Sequence, residues 1–302
     1  MAFTEGERLR IARALAQAGV SEAEVVAPSS VREDLALVRA LKRRGIPVRA
    51  SGLVYANRPK CAQELDECVA CGLDRLDLLM PLSAHREPRD PRQKIDRLLA
   101  ALAHGASGRL EVGVGFPHAM QVDADFLLDI GRRAARAGAK RVTVYDTNGS
   151  ADPFTARSLL GRLTREVGVS VFFHAHNDLG LATANSWAAV LGGAAGLDVT
   201  VNGLGDRAGN ASLEQVATLL HLRGFETGVR LPELPRVSRL VARLSGVDVP
   251  ALAPVVGAHV FTHKSPSHLA IPTEFEAFDP GLVGARRRLE PARPRAGARR
   301  RA

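Results

Sequence analysis

From Glu5 to Leu222 the apolar positions follow two alternating rhythms. Glu5–Ala18 places Leu9, Ile11, Ala12, Leu15 and Ala16 on one helical stripe, and Gly19 ends it. Glu24–Pro28 then reads as a strand, Val31–Arg44 as a helix closed by Gly45, and Pro47–Leu53 as a second strand. The unit recurs as helix Cys61–Cys71 with strand Leu76–Met80, helix Pro91–His104 with strand Leu110–Val114, and helix Asp125–Ala137 with strand Arg141–Tyr145. It recurs again as helix Pro153–Glu166, strand Ser170–His176, helix Leu181–Leu191, strand Asp198–Asn202 and helix Ser212–Leu222. Short strands rich in Val and Leu are those buried on both faces, so the pattern predicts a parallel sheet with helical crossovers. The expected fold is α/β, a (β/α)8 TIM barrel over residues 1–225. Seven strands are counted and a helix comes first, whereas each barrel strand precedes its helix; the barrel is therefore expected to lack its first strand.

After about Gly224 the rhythm changes. Pro232–Leu244 is helical, Pro250 and Pro254 mark breaks, and Val260–His268 reads as an extended, His-rich stretch. Residues 226–284 are expected to form a small α-rich C-terminal subdomain.

Composition changes this picture in three places. Hydrophobic residues make up 46% of the 302 and aromatics only 4%, so Ala, Val and Leu must fill the core. No apolar run approaches the ~20 residues that span a bilayer, and the N-terminus lacks the apolar stretch of a signal peptide. A soluble, cytoplasmic protein with no membrane partner is expected. The formal charge of +9 is concentrated at the C-terminus: residues 285–302 hold eight arginines and one acid, Glu290. Such a segment buries too little apolar surface to fold, and it reads as a disordered, solvated tail rather than a specific nucleic-acid surface. The cysteines, Cys61, Cys68 and Cys71, include one C-x-x-C, but no second pair or flanking His completes a zinc site, so buried reduced thiols are expected.

The strongest chemical signal is Phe172-Phe-His-Ala-His-Asn-Asp178. Residues i and i+2 of a strand point the same way, so His174 and His176 present two imidazoles at the strand's C-terminal end, the face on which barrel active sites are built. Two readings stand for the pair: metal ligands, or histidines satisfied by neighbouring carbonyls. One βα unit later, Asn202-Gly-Leu-Gly-Asp-Arg-Ala-Gly-Asn210 is a glycine-rich loop able to carry Asn210 inward as a third ligand. Tyr145-Asp-Thr-Asn-Gly149 puts Asp146 and Thr147 at a strand terminus, either to bind a carboxylate or to close an Asx-type turn. Phe261-Thr-His-Lys-Ser-Pro-Ser-His268 offers His263 and His268 as proton carriers near neutral pH.

The order DTNG, FHAHNDLGLATAN, TVNGLGDRAGN, FTHKSPSH and FDPGLVGARR resembles the acyl-CoA-dependent Claisen condensing enzymes, the homocitrate, 2-isopropylmalate and citramalate synthases, which share a metal-dependent barrel with 3-hydroxy-3-methylglutaryl-CoA lyase. The likeness covers nearly the whole chain before the tail, and its ending looks most like homocitrate synthases. It implies an acyltransferase that condenses acetyl-CoA with a 2-oxoacid, 2-oxoglutarate or similar, at a divalent metal (Mn, Mg, Zn or Co). It implies metal ligation by His174, His176 and Asn210, contact of Thr147 with the 2-oxoacid, and a homodimer in which the segment bearing His263 and His268 reaches the partner's site.

The chain departs from that pattern in three ways. It begins just past an Arg-Asp-Gly-Glu-Gln-like first-strand motif whose Asp is a metal ligand. Pro117-His118-Ala-Met-Gln121 stands where a Glu-Asp-x-x-Arg segment is expected, and Ser265-Pro-Ser-His268 replaces Ser-Gly-x-His. Two other readings follow: a catalytically impaired paralogue with a structural or regulatory role, or a lyase or aldolase of the same superfamily. The lyase expects a Cys in the loop near Arg207, where there is none.

Overall fold

The computed structural model describes residues 3–83, 90–105 and 110–291. In chain order the elements are α1 (Glu5–Gln17), β1 (Glu22–Val26), α2 (Val31–Arg43), β2 (Arg49–Tyr55), α3 (Cys61–Cys71), β3 (Arg75–Leu79), α4 (Pro91–Gly105), β4 (Glu111–Phe116), α5 (Ala124–Arg136) and β5 (Arg141–Asp146). They continue with α6 (Pro153–Glu166), β6 (Ser170–Ala175), α7 (Ala182–Leu191), β7 (Gly196–Asp198), α8 (Leu213–Leu222), α9 (Leu234–Ser245), β8 (Thr262–His263), α10 (Pro266–Ala270) and β9 (Arg288–Leu289).

Strands β1 to β7 pair in parallel and in sequence order, forming one curled sheet with β1 and β7 at its edges. The helices cover its outer face. Val26, Val54, Leu76, Leu78, Val114, Val142, Val144 and Phe173 are fully buried against helix residues such as Leu41, Leu65, Leu98, Leu127 and Leu160. This is the expected barrel without its first strand. The helices start and stop on local chemistry: Thr4 and Glu7 form a capping box at α1, Asp123 and Asp152 cap α5 and α6 through their carboxylates, and Gly72 closes α3 in the left-handed region.

The concave face is polar at one end. Asp77 accepts from Arg141 Nε at 2.9 Å and from Thr143 Oγ1 at 2.8 Å, and Arg141 reaches Glu22 at 3.1 Å. Arg75 bridges Glu22 and Glu111 at 3.0 and 2.8 Å. Toward the C-terminal ends of the strands the same face becomes apolar, with Leu53, Leu79 and Tyr145 in contact and Tyr55 packed on them.

Strand seven lies earlier than its pattern predicts, at Gly196–Asp198 instead of Asp198–Asn202. Asp198 closes β7, and Val201–Gly203 is a tight turn in which Asn202 takes φ 58°. The Asn202 N–H donates to the buried Glu214 carboxylate at 3.0 and 3.1 Å, while its side-chain amide donates to the Ser238 carbonyl at 3.0 Å, and these bonds hold the turn against an extended backbone. Val260–His268 is likewise extended only at Thr262–His263, because Pro266, with its φ preset, opens α10.

The C-terminal region packs as a continuation of the barrel. Leu231, Leu234, Val255 and Val283 share one apolar cluster with Leu213 and Ala217 of α8, and Leu15, Val20, Val199 and Val201 pack against it. Order runs past residue 284, where the unfolded tail was expected to begin: β9 pairs with β8, and Arg287 bonds to Glu276. A neighbouring strand and an acid give those arginines partners; residues 292–302 lie outside the described residues. Cys61, Cys68 and Cys71 are free and buried, and burial pushes the Cys61 and Cys68 thiols up to about 11 and about 12, where they are neither nucleophiles nor ready ligands. No helix among the described residues is long and apolar enough to cross a membrane.

Candidate metal centre

Strand β6 stops at Ala175, and His176 follows it at the rim. An isolated antiparallel bridge joins His176 to Asn210. Asn177 N–H donates to Gly209 at 2.8 Å and Ala211 N–H to Ala175 at 3.1 Å, so the glycine-rich loop is stitched alongside the His-bearing segment. The structure thus brings His174, His176 and Asn210 together. The two imidazole centroids are 5.0 Å apart, and Asn210 Nδ2 is 2.9 Å from His174 Nε2.

The remaining ring nitrogens fix what these groups can do. His174 Nδ1 faces Asp198 Oδ2 at 3.2 Å, and His176 Nδ1 faces the Asp146 carbonyl at 3.1 Å. Both Nδ1 atoms are therefore assigned as donors, which leaves each Nε2 as an acceptor, that of His174 taking the Asn210 amide at 2.9 Å. Burial, followed by the neighbouring His174, lowers the His176 pKa. Two imidazole nitrogens and an amide oxygen, available by turning the Asn210 amide, suit a divalent ion of the Zn, Mn, Fe or Co group. Each His carries the oxygen partner on its second nitrogen that metal-binding histidines commonly have. The donors present fit such an ion as a three-ligand set; among the described residues no three His, Cys, Asp or Glu side chains converge as a cage. The carbonyl contact expected of merely satisfied histidines exists at His176, but it engages only the inner nitrogen.

Gly205 makes room for the third donor. A Cβ there would lie 1.8 Å from Asn210 Oδ1. Gly205→Ala is expected to turn the Asn210 amide away and weaken Mn²⁺ binding roughly tenfold or more, read by titration calorimetry. Asp198→Asn keeps the shape but removes the charge that orients His174. It should weaken the metal by about 10–100-fold in the same titration, and unchanged affinity would show that Asp198 does not orient the ring.

Thr147 lies beside this group. Its hydroxyl accepts from the His118 N–H at 2.8 Å and keeps its own proton to donate. The Asp146 carboxylate accepts from the Ser150 and Ala151 N–H groups at 3.1 and 3.2 Å, four and five residues on, and so ties down the loop after β5 without the i, i+2 bond of an Asx-type turn. Arg207, held at φ 56°, ties the rim loops together, donating to Asp178 at 2.7 and 2.9 Å and to the Thr147 carbonyl at 2.8 Å.

His263 and His268 lie elsewhere. Their Nδ1 atoms are 3.4 Å apart, His263 Nε2 meets Glu276 at 3.0 Å, and His268 stacks on Phe275 at 3.9 Å. None of these contacts reaches His174, His176 or Asn210 within the chain. Sequence reasoning missed Asp198 and the Asp178–Arg207 clasp. Asp198 carried a usable signal, as an acid within an otherwise apolar barrel strand.

Comparison with known proteins gives a consistent picture. The HMGL-like family model matches residues 1–241. Homocitrate synthase 1 of Nostoc sp. is 35% identical over 296 residues, covering 95% of this chain and 78% of that one. 2-Isopropylmalate synthase of Sulfurisphaera tokodaii is 36% identical over 300 residues, covering 95% and 76%. (R)-citramalate synthase of Methanocaldococcus jannaschii is 33% identical, and the chain spans 60% of its length. Among solved structures, hydroxymethylglutaryl-CoA lyase from Pseudomonas aeruginosa superposes with TM-score 0.71 at 20% identity, covering 82% of this chain and 89% of that one.

Proposed function

The chain belongs to the HMGL-like family, and from that premise we propose that it condenses the acetyl group of acetyl-CoA with a 2-oxoacid at a divalent metal. The observation that carries this reading is the rim group His174–His176–Asn210 with both inner ring nitrogens engaged. When bound there, the metal supplies Lewis-acid polarisation of the keto acid. The chain's own residues do the rest. Thr147 offers its hydroxyl proton to the substrate carboxylate. The methyl next to the thioester loses a proton, its carbon attacks the keto carbon, and water cleaves the thioester to release free CoA.

The proton carrier in this reading is His268, acting across a homodimer. His263 Nε2 donates to Glu276, so His263 Nδ1 accepts from His268 Nδ1–H, and His268 Nε2 is left as the base.

The inward wall beside His174 argues for a keto acid with an uncharged alkyl side chain over 2-oxoglutarate. Tyr145 stacks on His174 at 4.6 Å and packs with Leu53 and Leu79. Gly115 faces Leu79 and Tyr145, where a Cβ would come within 2.8 Å of both. The concave-face arginines, Arg75 and Arg141, are held by Glu22, Asp77 and Glu111, and Arg207 by Asp178. A second substrate carboxylate would meet apolar carbon and the acid Asp198.

The test is thiol release from acetyl-CoA with Mn²⁺ and a panel of pyruvate, 2-oxoisovalerate and 2-oxoglutarate. An alkyl keto acid is expected to be preferred by about tenfold or more, the value of one or two buried methylenes. Preference for 2-oxoglutarate overturns the specificity, and no release with any of them from a folded protein overturns the reading itself.

A further inference from the structure

One residue joins the metal rim to the C-terminal region. The turn Val201–Gly203 opens the glycine-rich loop, and within it Asn202 stands at φ 58°, a left-handed conformation that a residue with a side chain adopts at a cost. Such backbone persists where several bonds fix it at once. The Asn202 N–H donates to both carboxylate oxygens of Glu214, at 3.1 and 3.0 Å. Glu214 is buried at the start of α8 and also accepts from Ser212 Oγ at 2.6 Å. Both ends of the Asn202 side-chain amide go to one serine. Nδ2 donates to the Ser238 carbonyl at 3.0 Å, and Oδ1 accepts from Ser238 Oγ at 2.5 Å. Ser238 is buried on α9, the helix that packs on α1 through Val237 beside Ala14 and Ala18.

The turn is passed directly to Asn210, whose N–H donates to the Gly203 carbonyl at 3.0 Å. The two arms of the loop touch there. A Cβ on Gly209 would lie 2.0 Å from the Gly203 oxygen, and one on Gly203 would lie 3.1 Å from the Asn210 oxygen. With no side chain between the arms there is no slack, so a rotation of the peptide after Asn202 moves the Asn210 backbone. The Asn210 amide lies 2.9 Å from His174 Nε2, and such a movement tilts it against the two histidines.

We propose that Asn202 is a positioning residue for Asn210, through which the seating of α9 on the barrel sets the geometry of the metal rim. Its effect on an ion rests on the metal reading above; the bonds themselves need none. Glu214 holds the turn from the barrel side and Ser238 holds it from α9. An amide fixed by two bonds to one serine does not turn unless α9 moves with it. Coupling of this kind is reciprocal: what loosens α9 loosens the rim, and an ion held at the rim steadies α9.

The test begins without metal. Asn202→Gly removes both bonds to Ser238, keeps the N–H donated to Glu214 and takes the left-handed backbone at no steric cost. In the full chain, amide exchange of Asn210, followed by nuclear magnetic resonance, is expected to speed up by roughly tenfold or more in Asn202→Gly. Ser238→Ala leaves the loop itself unaltered and should speed the exchange too. Added to Asn202→Gly it should change nothing further, since both bonds are already gone. Titration with Mn²⁺ then reads the consequence, an affinity weakened by about tenfold in Asn202→Gly. Leu98→Ala lowers stability from the buried face of α4 and should leave that affinity unchanged, which separates the coupling from a general loss of stability. Asn210 exchange in Asn202→Gly equal to that of the unaltered chain overturns the proposal, as do effects of the two substitutions that add in the double variant. An unaltered chain that binds no Mn²⁺ refutes the metal reading instead, and the exchange rates still decide the coupling.

Discussion

His174→Ala is expected to abolish stoichiometric metal binding and to lower turnover on the order of 10³-fold, the scale of losing several kcal/mol of Lewis-acid stabilisation. The size follows from the position. His174 contacts both halves of the site, Asp198 through Nδ1 and Asn210 opposite Nε2. Removing it leaves His176 and Asn210, too few protein donors to hold a hard or borderline divalent ion at micromolar concentration. It also opens the face on which Tyr145 stacks. Metal analysis after gel filtration and thiol release from acetyl-CoA measure the two effects, and far-ultraviolet circular dichroism confirms the fold. Metal content equal to that of the unaltered protein would refute ligation by His174.

Asp77→Ala is expected to destabilise the fold by about 3–5 kcal/mol, the typical effect of removing one partner from a buried ion pair. The side chains of Asp77 and Arg141 are 1% and 7% exposed. Without Asp77, Arg141 keeps only Glu22, and Thr143 loses its acceptor. The cost comes mainly from the unpaired guanidinium, so Asp77→Ala combined with Arg141→Met should recover most of it. Urea midpoints of the two variants decide the matter. A double variant as unstable as the single one would show that the pair contributes by geometry and not by balanced charge.

These two sites differ in how far they could be read from the chain. His174 and His176 were legible because the i, i+2 repeat of a strand puts them on one side whatever surrounds them. Asn210 was legible because a glycine-rich loop one βα unit later must return to the same rim. Asp77 and Arg141 are 64 positions apart, and nothing local marks them as partners. Only the pairing of β3 and β5 on either side of β4 brings them together on the concave face. His263 and His268 show the opposite limit, since a stretch that looked extended turned helical at Pro266 and paired its histidines with each other and Glu276.

The sequence by itself determined the alternation of helices and parallel strands, the seven-strand count and the histidine pair, because each follows from a local period or a local cap. The tertiary structure alone decided which nitrogen of each histidine meets an oxygen partner, that the wall beside them is apolar, and that the barrel arginines are already paired. Those properties arise from distances between strands far apart in sequence, and hydrophobic patterning sets which face of a strand is buried without saying what it will meet there.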